Sequence, residues 1–173
     1  AVIYSDYLFG QQSRDGFTEA FTELGGEIVS EQGVPFGTAD MAPFLENIGD
    51  AEVVAVLLLN PSDFAFVRQY REFGLDAPVI FISSAPQEAP LLAQMGDDVI
   101  GMYGAAWYSP LLETEANEEF LEAFVETYER PPGTAVHVAY SAASLFIAAL
   151  EVTEGDTDPE AISEAILSLE ELP

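Results

Sequence analysis

The chain has 173 residues, enough for one well-buried α/β domain or for one domain with an appendage. Its hydrophobic fraction of 49% excludes intrinsic disorder, and the absence of cysteine excludes disulfides, thiolate nucleophiles and thiolate metal sites. With 31 acidic residues against four arginines and no lysine, the net charge is −27, which argues against binding to nucleic acid or to anionic membrane surfaces.

The first hundred residues alternate short β-rich runs with helical patterns. Strands are predicted at residues 1–5, 27–31, 53–59, 78–83 and 99–103. The continuous apolar run at 53–59 is typical of a central parallel strand that is covered on both faces. Asp40 is predicted to cap the second intervening helix, and Pro61-Ser62-Asp63 opens the third. Strands joined by helical crossovers predict an α/β fold with a parallel five-stranded sheet in the order 2-1-3-4-5 and flanking helices.

The remainder of the chain is predicted to be helical. Helices are expected at 117–129, at 134–152 and after the N-cap Asp158, and the composition changes near residues 105–110. The helix at 134–152 is almost wholly apolar, so we expect neighbouring elements to cover it nearly all round. We expect its apolar run, residues 134–150, to be too short to cross a bilayer, and we predict neither a signal peptide nor a membrane span. Because the chain opens directly on a strand, we expect it to be a piece of a larger protein.

The acidic surface has two interpretations, a functional one and an environmental one. Either the carboxylates recruit cations or basic partners, or they are an adaptation to a salty, halophilic setting. There, counterions screen self-repulsion over a Debye length of about 3 Å at 1 M salt. The environmental interpretation is favoured because the acidic residues are spread along the chain rather than gathered in a tail.

Most catalytic and nucleotide-binding motifs are missing from the loops at the strand ends, where ligands bind in open parallel sheets. The loop after the first strand, at residues 6–12, reads DYLFGQQ and lacks the G-x-G-x-x-G pattern of dinucleotide sites. A P-loop needs a lysine, and the third strand ends in Asn60 rather than the aspartate of a receiver domain. We therefore expect a binding module and not an enzyme, and we expect no cofactor. The serines, asparagine and aromatics at these ends suit a small polar or zwitterionic solute.

Four titratable residues are candidates for catalysis or metal binding. His137 lies in the most apolar helix, where a packed or interface histidine is favoured over a triad or metal role. Asp6 with Asp63 or Asp40 could hold Mg²⁺, but Asp40 and Asp63 are better explained as helix caps. We therefore predict no metal site.

Several segments carry a family resemblance. Residues 1–11, the helix ending at Gly25-Gly26 and the segment 37–41 resemble the second lobe of type I periplasmic solute-binding proteins, in particular the leucine/isoleucine/valine-binding group of ABC uptake systems. Arg130-Pro131-Pro132 followed by residues 139–142 resembles that family's "PP … YDA" helix. The similarity covers essentially the whole chain, and it is the order and spacing of these segments that make it specific.

The resemblance implies two α/β lobes that close on a solute. Residues 1–105 would be the α/β ligand-binding lobe, and residues 106–173 the hinge crossover and the helices that complete the other lobe. The implied partners are an amino acid or amide, such as a branched-chain amino acid, and the membrane permease of an ABC transporter, in a periplasmic or extracellular location. A homodimer through uncovered helices of the fragment is a further expectation. The alternative is a ligand-sensing receptor ectodomain of the same fold.

The resemblance also implies ligand-facing positions. Those at the strand ends are Phe9, Asn60, Ser62 and Ser84, and those near the hinge are Trp107 and Tyr108. Each has a structural alternative: a core position for Phe9, a helix cap for Asn60 and Ser62, a turn for Ser84 and a hinge plug for Trp107. Many relatives carry tyrosine where this chain has Phe9, which removes a hydroxyl from that position.

Overall fold

A computed structural model of the chain describes residues 1–82 and 89–169, with the backbone alone at Ala89 and Pro90. It divides into two compact units, Ala1–Trp107 and Tyr108–Pro173. The assignment of residues 1–105 and 106–173 to two functional lobes stays a prediction.

The first unit is built on one parallel sheet. Its strands are β1 (Val2–Ser5), β2 (Glu31–Val34), β3 (Val54–Leu57), β4 (Val79–Phe81) and β5 (Tyr103–Gly104). They lie in the order β2-β1-β3-β4-β5, and each neighbouring pair is parallel. The predicted strand order is confirmed.

Helices connect these strands. They are α1 (Leu8–Glu23), α2 (Ala42–Leu45), α3 (Ser62–Glu72) and α4 (Ala89–Met95), followed by a 3₁₀ turn at Gly96–Val99. The α3 helix begins at Ser62, one residue after the predicted Pro61, and Gly74 follows it with φ +67°. Each crossover returns the chain to the same end of the sheet, as a parallel arrangement requires.

The sheet is covered on both faces, which explains its apolar central strand. Val54 and Val56 of β3 belong to a large buried cluster with side chains of α2 and α3, such as Leu45 and Phe66. Ala55 and Leu57 point to the other face, where Phe17 of α1 and Ile28 pack against them. Leu24 is exposed because it lies just beyond the end of α1.

Two strand positions differ from the prediction. The second strand forms at Glu31–Val34 rather than at 27–31, because Val34 pairs with Ser5 and Glu31 with Val2. The fifth strand is confined to Tyr103–Gly104, because residues 96–99 form a 3₁₀ turn. Arg71 of α3 holds this segment by donating to the carbonyls of Asp98 at 2.9 Å and Ile100 at 2.6 Å.

The second unit contains α5 (Glu115–Tyr128), α6 (Thr134–Val152) and α7 (Pro159–Ser168). Thr114 caps α5, and Asp158 caps α7 as predicted by accepting from the N–H groups of Glu160 and Ala161. His137 of α6 stacks on the Tyr108 ring at 4.2 Å and lies 5.8 Å from the Phe120 ring centroid. This is the packed histidine that the sequence favours.

The α6 helix is mostly exposed in this chain. Only 6% of its most apolar window is buried, and Phe146, Ile147 and Val152 are open to solvent. The expectation of nearly complete cover is therefore wrong for the chain as it stands. The helix has 19 residues with a mean hydropathy of 1.6, so by length and composition alone it could cross a membrane, contrary to the sequence expectation. One such helix is weak support for a span, since core helices pass the same test.

Candidate functional site

The candidate site is the carboxyl edge of the sheet, where the loops after β1, β3 and β5 emerge. Tyr4 of β1 pairs with Leu57 of β3, so the loops that carry Phe9 and Asn60 leave neighbouring strands. Open parallel sheets bind their ligands at this edge because side chains and helix N-termini converge there. The topology thus brings Phe9 and Asn60 to adjacent strand ends.

Two aromatic rings are exposed after β1. Tyr7 and Phe9 are 37% and 48% exposed, and their rings stack with centroids 6.1 Å apart. Gly10 positions them, because a Cβ at that residue would overlap the carbonyl oxygen of Ser5 at the end of β1. The first turn of α1 therefore lies directly on the strand end. The exposure of Phe9 argues against its alternative role as a core residue.

A hydrogen bond connects the residues that follow β3 to the end of β1. The buried hydroxyl of Ser5 accepts a hydrogen bond from the Leu59 N–H at 3.3 Å, beyond the last ladder pair. Asn60 follows and is exposed, and a cis peptide bond joins it to Pro61. This geometry presents Asn60 at the surface of the carboxyl edge, where its amide is free to donate and accept.

The first two residues of α3 are buried polar residues. Ser62 is covered and its hydroxyl has no hydrogen-bond partner, so it does not cap the helix. Asp63 is fully covered, and its Oδ1 accepts from the Phe64 N–H at 2.8 Å. Burial raises the pKa of the Asp63 carboxyl, while hydrogen bonds from the backbone N–H groups of Phe64 and Asp63 partly oppose that rise.

The remaining predicted site residues are placed very differently from one another. Trp107 is 80% exposed after β5, a strand that lies three positions from β1, or about 14 Å across the sheet. Tyr108, in the second unit, is buried and donates its hydroxyl to Asn117 Oδ1 at 2.9 Å. Burial raises the pKa of that hydroxyl. Ser84 lies outside the described residues. The ligand-binding role of all six residues stays a prediction.

Two cavities in the first unit lie away from the predicted site. One of about 310 Å³ is at the amino edge of the sheet, between Phe17, Phe21 and Glu52. Another of about 290 Å³ is lined by residues of α3 and α4, including Phe64 and Gln94. Of the predicted site residues that the structure describes, none lines either of these two cavities.

Each of the three aspartates that are candidates for a metal accepts a hydrogen bond from a nearby group of the chain. Asp6 accepts from Gln11 Nε2 at 3.0 Å, and Asp40 accepts from the Ala42 N–H at 3.1 Å at the start of α2. Within the described ranges, no three histidine or carboxylate side chains group closely enough to hold a metal ion.

In the sequence analysis, Tyr7 is not named as a site residue, and Asp63 is explained as a helix cap and not as a core residue. Tyr7 is exposed beside Phe9, and its position directly after the strand end was the available signal. Asp63 was interpreted as a cap, although it shares the inward i, i+3, i+4, i+7 spacing with Phe66, Val67 and Tyr70. That spacing indicates a carboxylate on the core face of the helix.

Open α/β folds with a doubly covered parallel sheet bind their ligands at the carboxyl edge, where this chain carries aromatic and polar groups. Comparison with known proteins specifies the class. A family model described as periplasmic binding protein matches residues 1–172. The chain therefore belongs to the periplasmic binding protein family.

Individual relatives are similar along nearly the whole chain. The Leu/Ile/Val-binding protein homolog 6 of Brucella abortus is 27% identical over 176 residues, which is 97% of this chain and 45% of the relative. An ABC transporter substrate-binding protein from Sphaerobacter thermophilus superposes with a TM-score of 0.89 at 30% identity, over 97% of this chain and 47% of that one.

A third relative was solved with a ligand. A solute-binding protein of an ABC transporter from Rhodopseudomonas palustris BisB5, in complex with 3,4-dihydroxybenzoic acid, superposes with a TM-score of 0.81 at 32% identity. The match covers 95% of this chain and 46% of that one. The chain thus spans about half the length of the relatives that it matches.

Proposed function

We propose that the protein containing this chain is the extracytoplasmic solute-binding component of an ABC uptake system. The observation that carries the proposal is the family match over residues 1–172, together with the exposed groups at the carboxyl edge of the sheet. The proposed role is capture, not catalysis, and we assign no catalytic residue.

The length of the relatives supports a two-lobed architecture for the whole protein. In this proposal, residues 1–105 form one ligand-binding lobe, and a second lobe comes from sequence outside this chain. Residues 106–173 contribute a hinge crossover and helices to that second lobe. The exposed apolar side chains of α6, such as Phe146 and Ile147, support this arrangement, since burying them stabilises by about 25 cal/mol per Å² of apolar surface.

The solute would bind between the lobes, against the carboxyl edge described above. Phe9 and Asn60 are proposed as its primary contacts in this lobe, with Trp107 at the hinge side; Ser62, Ser84 and Tyr108 complete the proposed set. A ligand that contacts both lobes favours the closed form by its differential affinity for the two states. The closed form is then the one that the membrane permease of the transporter would recognise.

For the solute itself we propose an amino acid or amide, because the curated relatives are homologs of Leu/Ile/Val-binding proteins. A second candidate is a small aromatic acid. The relative that holds 3,4-dihydroxybenzoic acid and the exposed Tyr7 and Phe9 rings support it, since aromatic faces suit an aromatic solute.

A thermal-shift screen of the full-length protein in molar salt tests the function. The panel contains amino acids, amides, urea, polyamines and aromatic acids. Because a ligand that binds only the folded state stabilises it, we expect one chemical class to raise the melting temperature by several degrees. No shift with any class would contradict uptake of these solutes and favour a sensor with another ligand.

A further inference from the structure

The chain passes from the first unit to the second through a short exposed segment. On the side of the first unit, the Ala105 N–H donates to the Phe81 carbonyl at 3.1 Å and continues the pairing of β5 with β4. Ala106 and Trp107 follow, are exposed, and make no hydrogen bond with any residue that the structure describes. The boundary between the units falls directly after Trp107. The backbone dihedrals of these two residues can therefore change without the loss of a hydrogen bond in the described chain.

The segment after this boundary is held by the buried side chain of Asn117, near the start of α5. Asn117 is 7% exposed, and its Oδ1 accepts from the Tyr108 hydroxyl at 2.9 Å. Its Nδ2 donates to the carbonyl oxygens of Leu112 at 2.8 Å and Pro110 at 3.3 Å. One amide group thus satisfies one donor and two acceptors of residues 108–112. Because the pair of Asn117 and Tyr108 is buried, loss of one partner leaves the other unsatisfied, which costs more than an exposed hydrogen bond contributes.

The ring of Tyr108 holds the same segment independently. It is 5% exposed, stacks on His137 of α6 with centroids 4.2 Å apart, and meets Phe120 of α5 edge-on at 5.9 Å. Such aromatic contacts stabilise a defined ring position beyond the effect of burial alone. The chain therefore changes from unbonded backbone at Trp107 to a residue fixed against α5 and α6 at Tyr108, within one peptide bond.

We propose that Asn117 is a positioning residue for lobe closure: it holds residues 108–112 on the second unit, so that bending between the units is confined to Ala106 and Trp107. The inference rests on the proposed function, because it needs two lobes that close on a solute. A hinge with fewer fixed neighbours samples more orientations, and closing on a solute then loses more conformational entropy. Release of the Asn117 contacts should therefore widen the range of open forms and weaken solute binding.

Distances between two spin labels test the inference on the full-length protein. The labels are attached at Asp76→Cys in the first unit and Glu126→Cys in the second, both exposed positions, with any cysteine outside this chain replaced by serine. Asn117→Leu keeps a branched side chain and removes all three hydrogen bonds. We expect it to widen the distance distribution of the solute-free protein about 1.5-fold. Tyr108→Phe removes one of the three bonds and keeps the ring, so we expect a smaller widening, and this variant decides the test if Asn117→Leu does not fold.

Asp158→Ala is the matched control for a general loss of stability. It removes the N-cap of α7 in the same unit and leaves the contacts of residues 108–112 intact. We expect it to lower the melting temperature without widening the distance distribution. Equal widening by Asp158→Ala would overturn the inference. So would distributions in Asn117→Leu and Tyr108→Phe that are no wider than in the unmodified protein.

Calorimetric titrations with L-leucine and with 3,4-dihydroxybenzoate distinguish this inference from the proposed function. The compound that binds the unmodified protein should bind Asn117→Leu about two- to fivefold more weakly, and Asp158→Ala with unchanged affinity. Equal affinity of Asn117→Leu and the unmodified protein would overturn the inference and leave solute capture intact. Absence of binding by both compounds, together with a flat thermal-shift panel, would contradict the proposed function instead.

Discussion

At the scale of single residues, positions three apart in this chain differ sharply in their exposure to solvent. Asn60 presents its amide to solvent, whereas Asp63 is closed off with one oxygen unsatisfied. A sequence pattern places both near the end of β3. It does not show which of them faces water, because that depends on the strands and helices packed around them.

Burial of Asp63 makes the stability of the protein depend on pH. Its carboxyl pKa is raised from the ordinary value of 3.8, mainly by burial, so the native state binds this proton more tightly than the unfolded state does. The stabilising contribution of Asp63 is therefore present below about pH 3.8 and is lost as the pH rises through the raised pKa. We expect Asp63→Asn to gain stability relative to the unmodified protein across this window.

Urea denaturation between pH 3 and pH 8 at constant salt measures this difference in the free energy of unfolding. Asp76→Asn controls for the general benefit of removing one negative charge. If the two variants gained stability in parallel at every pH, the Asp63 carboxyl would not be a destabilising buried charge.

At the scale of elements, the contact between α1 and β1 fixes the position of the exposed aromatic pair. A Cβ at Gly10 would overlap the backbone of Ser5. A Cβ at Gly16 of the same helix would meet no neighbouring atom within 4 Å. The two glycines therefore form a matched pair. Helix propensity favours alanine at both, and only packing distinguishes them.

We expect opposite effects from Gly10→Ala and Gly16→Ala. Gly16→Ala should stabilise by about 0.5–1 kcal/mol, through the lower backbone entropy of alanine in the unfolded chain. Gly10→Ala should destabilise by about 1–3 kcal/mol, because its methyl group overlaps backbone and forces α1 off the strand end. Chemical denaturation at one salt concentration measures both. A stabilising Gly10→Ala would show that α1 does not press on β1 as described.

The strand order and α6 were predictable from the sequence, because both rest on local patterns: strand–helix alternation and a long apolar run. The position of β5 was not. The Arg71 side chain, 27 to 29 residues away, holds the carbonyls of Asp98 and Ile100 in a turn, and no local pattern records such a contact. The prediction of site residues is limited in the same way. The sequence pattern places Phe9 at the carboxyl edge of the sheet, but the burial of Ser62 and Tyr108 depends on tertiary packing that no local pattern records.

At the scale of the whole molecule, unbalanced charge is the dominant feature. The chain has 31 acidic residues, and in its described part the ion pairs with arginine are those of Asp15 and Glu31 with Arg14 and of Glu72 with Arg68. The self-repulsion of a net charge of −27 opposes the compact state. The environmental interpretation of this surface remains a prediction that salt can test.

We expect the melting temperature to rise steeply between low salt and molar potassium chloride, because the Debye length shortens from about 30 Å at 0.01 M to about 3 Å at 1 M. A variant with glutamine at four exposed glutamates of α5 (Glu118, Glu119, Glu122 and Glu126) should show a shallower rise. An unchanged melting temperature across this range would rule out salt screening as the purpose of the surface.

The most direct test of the account is a crystal structure of the full-length protein with the solute that the thermal-shift screen selects. We predict that the solute lies between two lobes, against the carboxyl edge of the sheet, in contact with Phe9 and Asn60. Solute density at the amino edge, in the cavity beside Phe17 and Phe21, would contradict the site and with it the mechanism proposed for this chain.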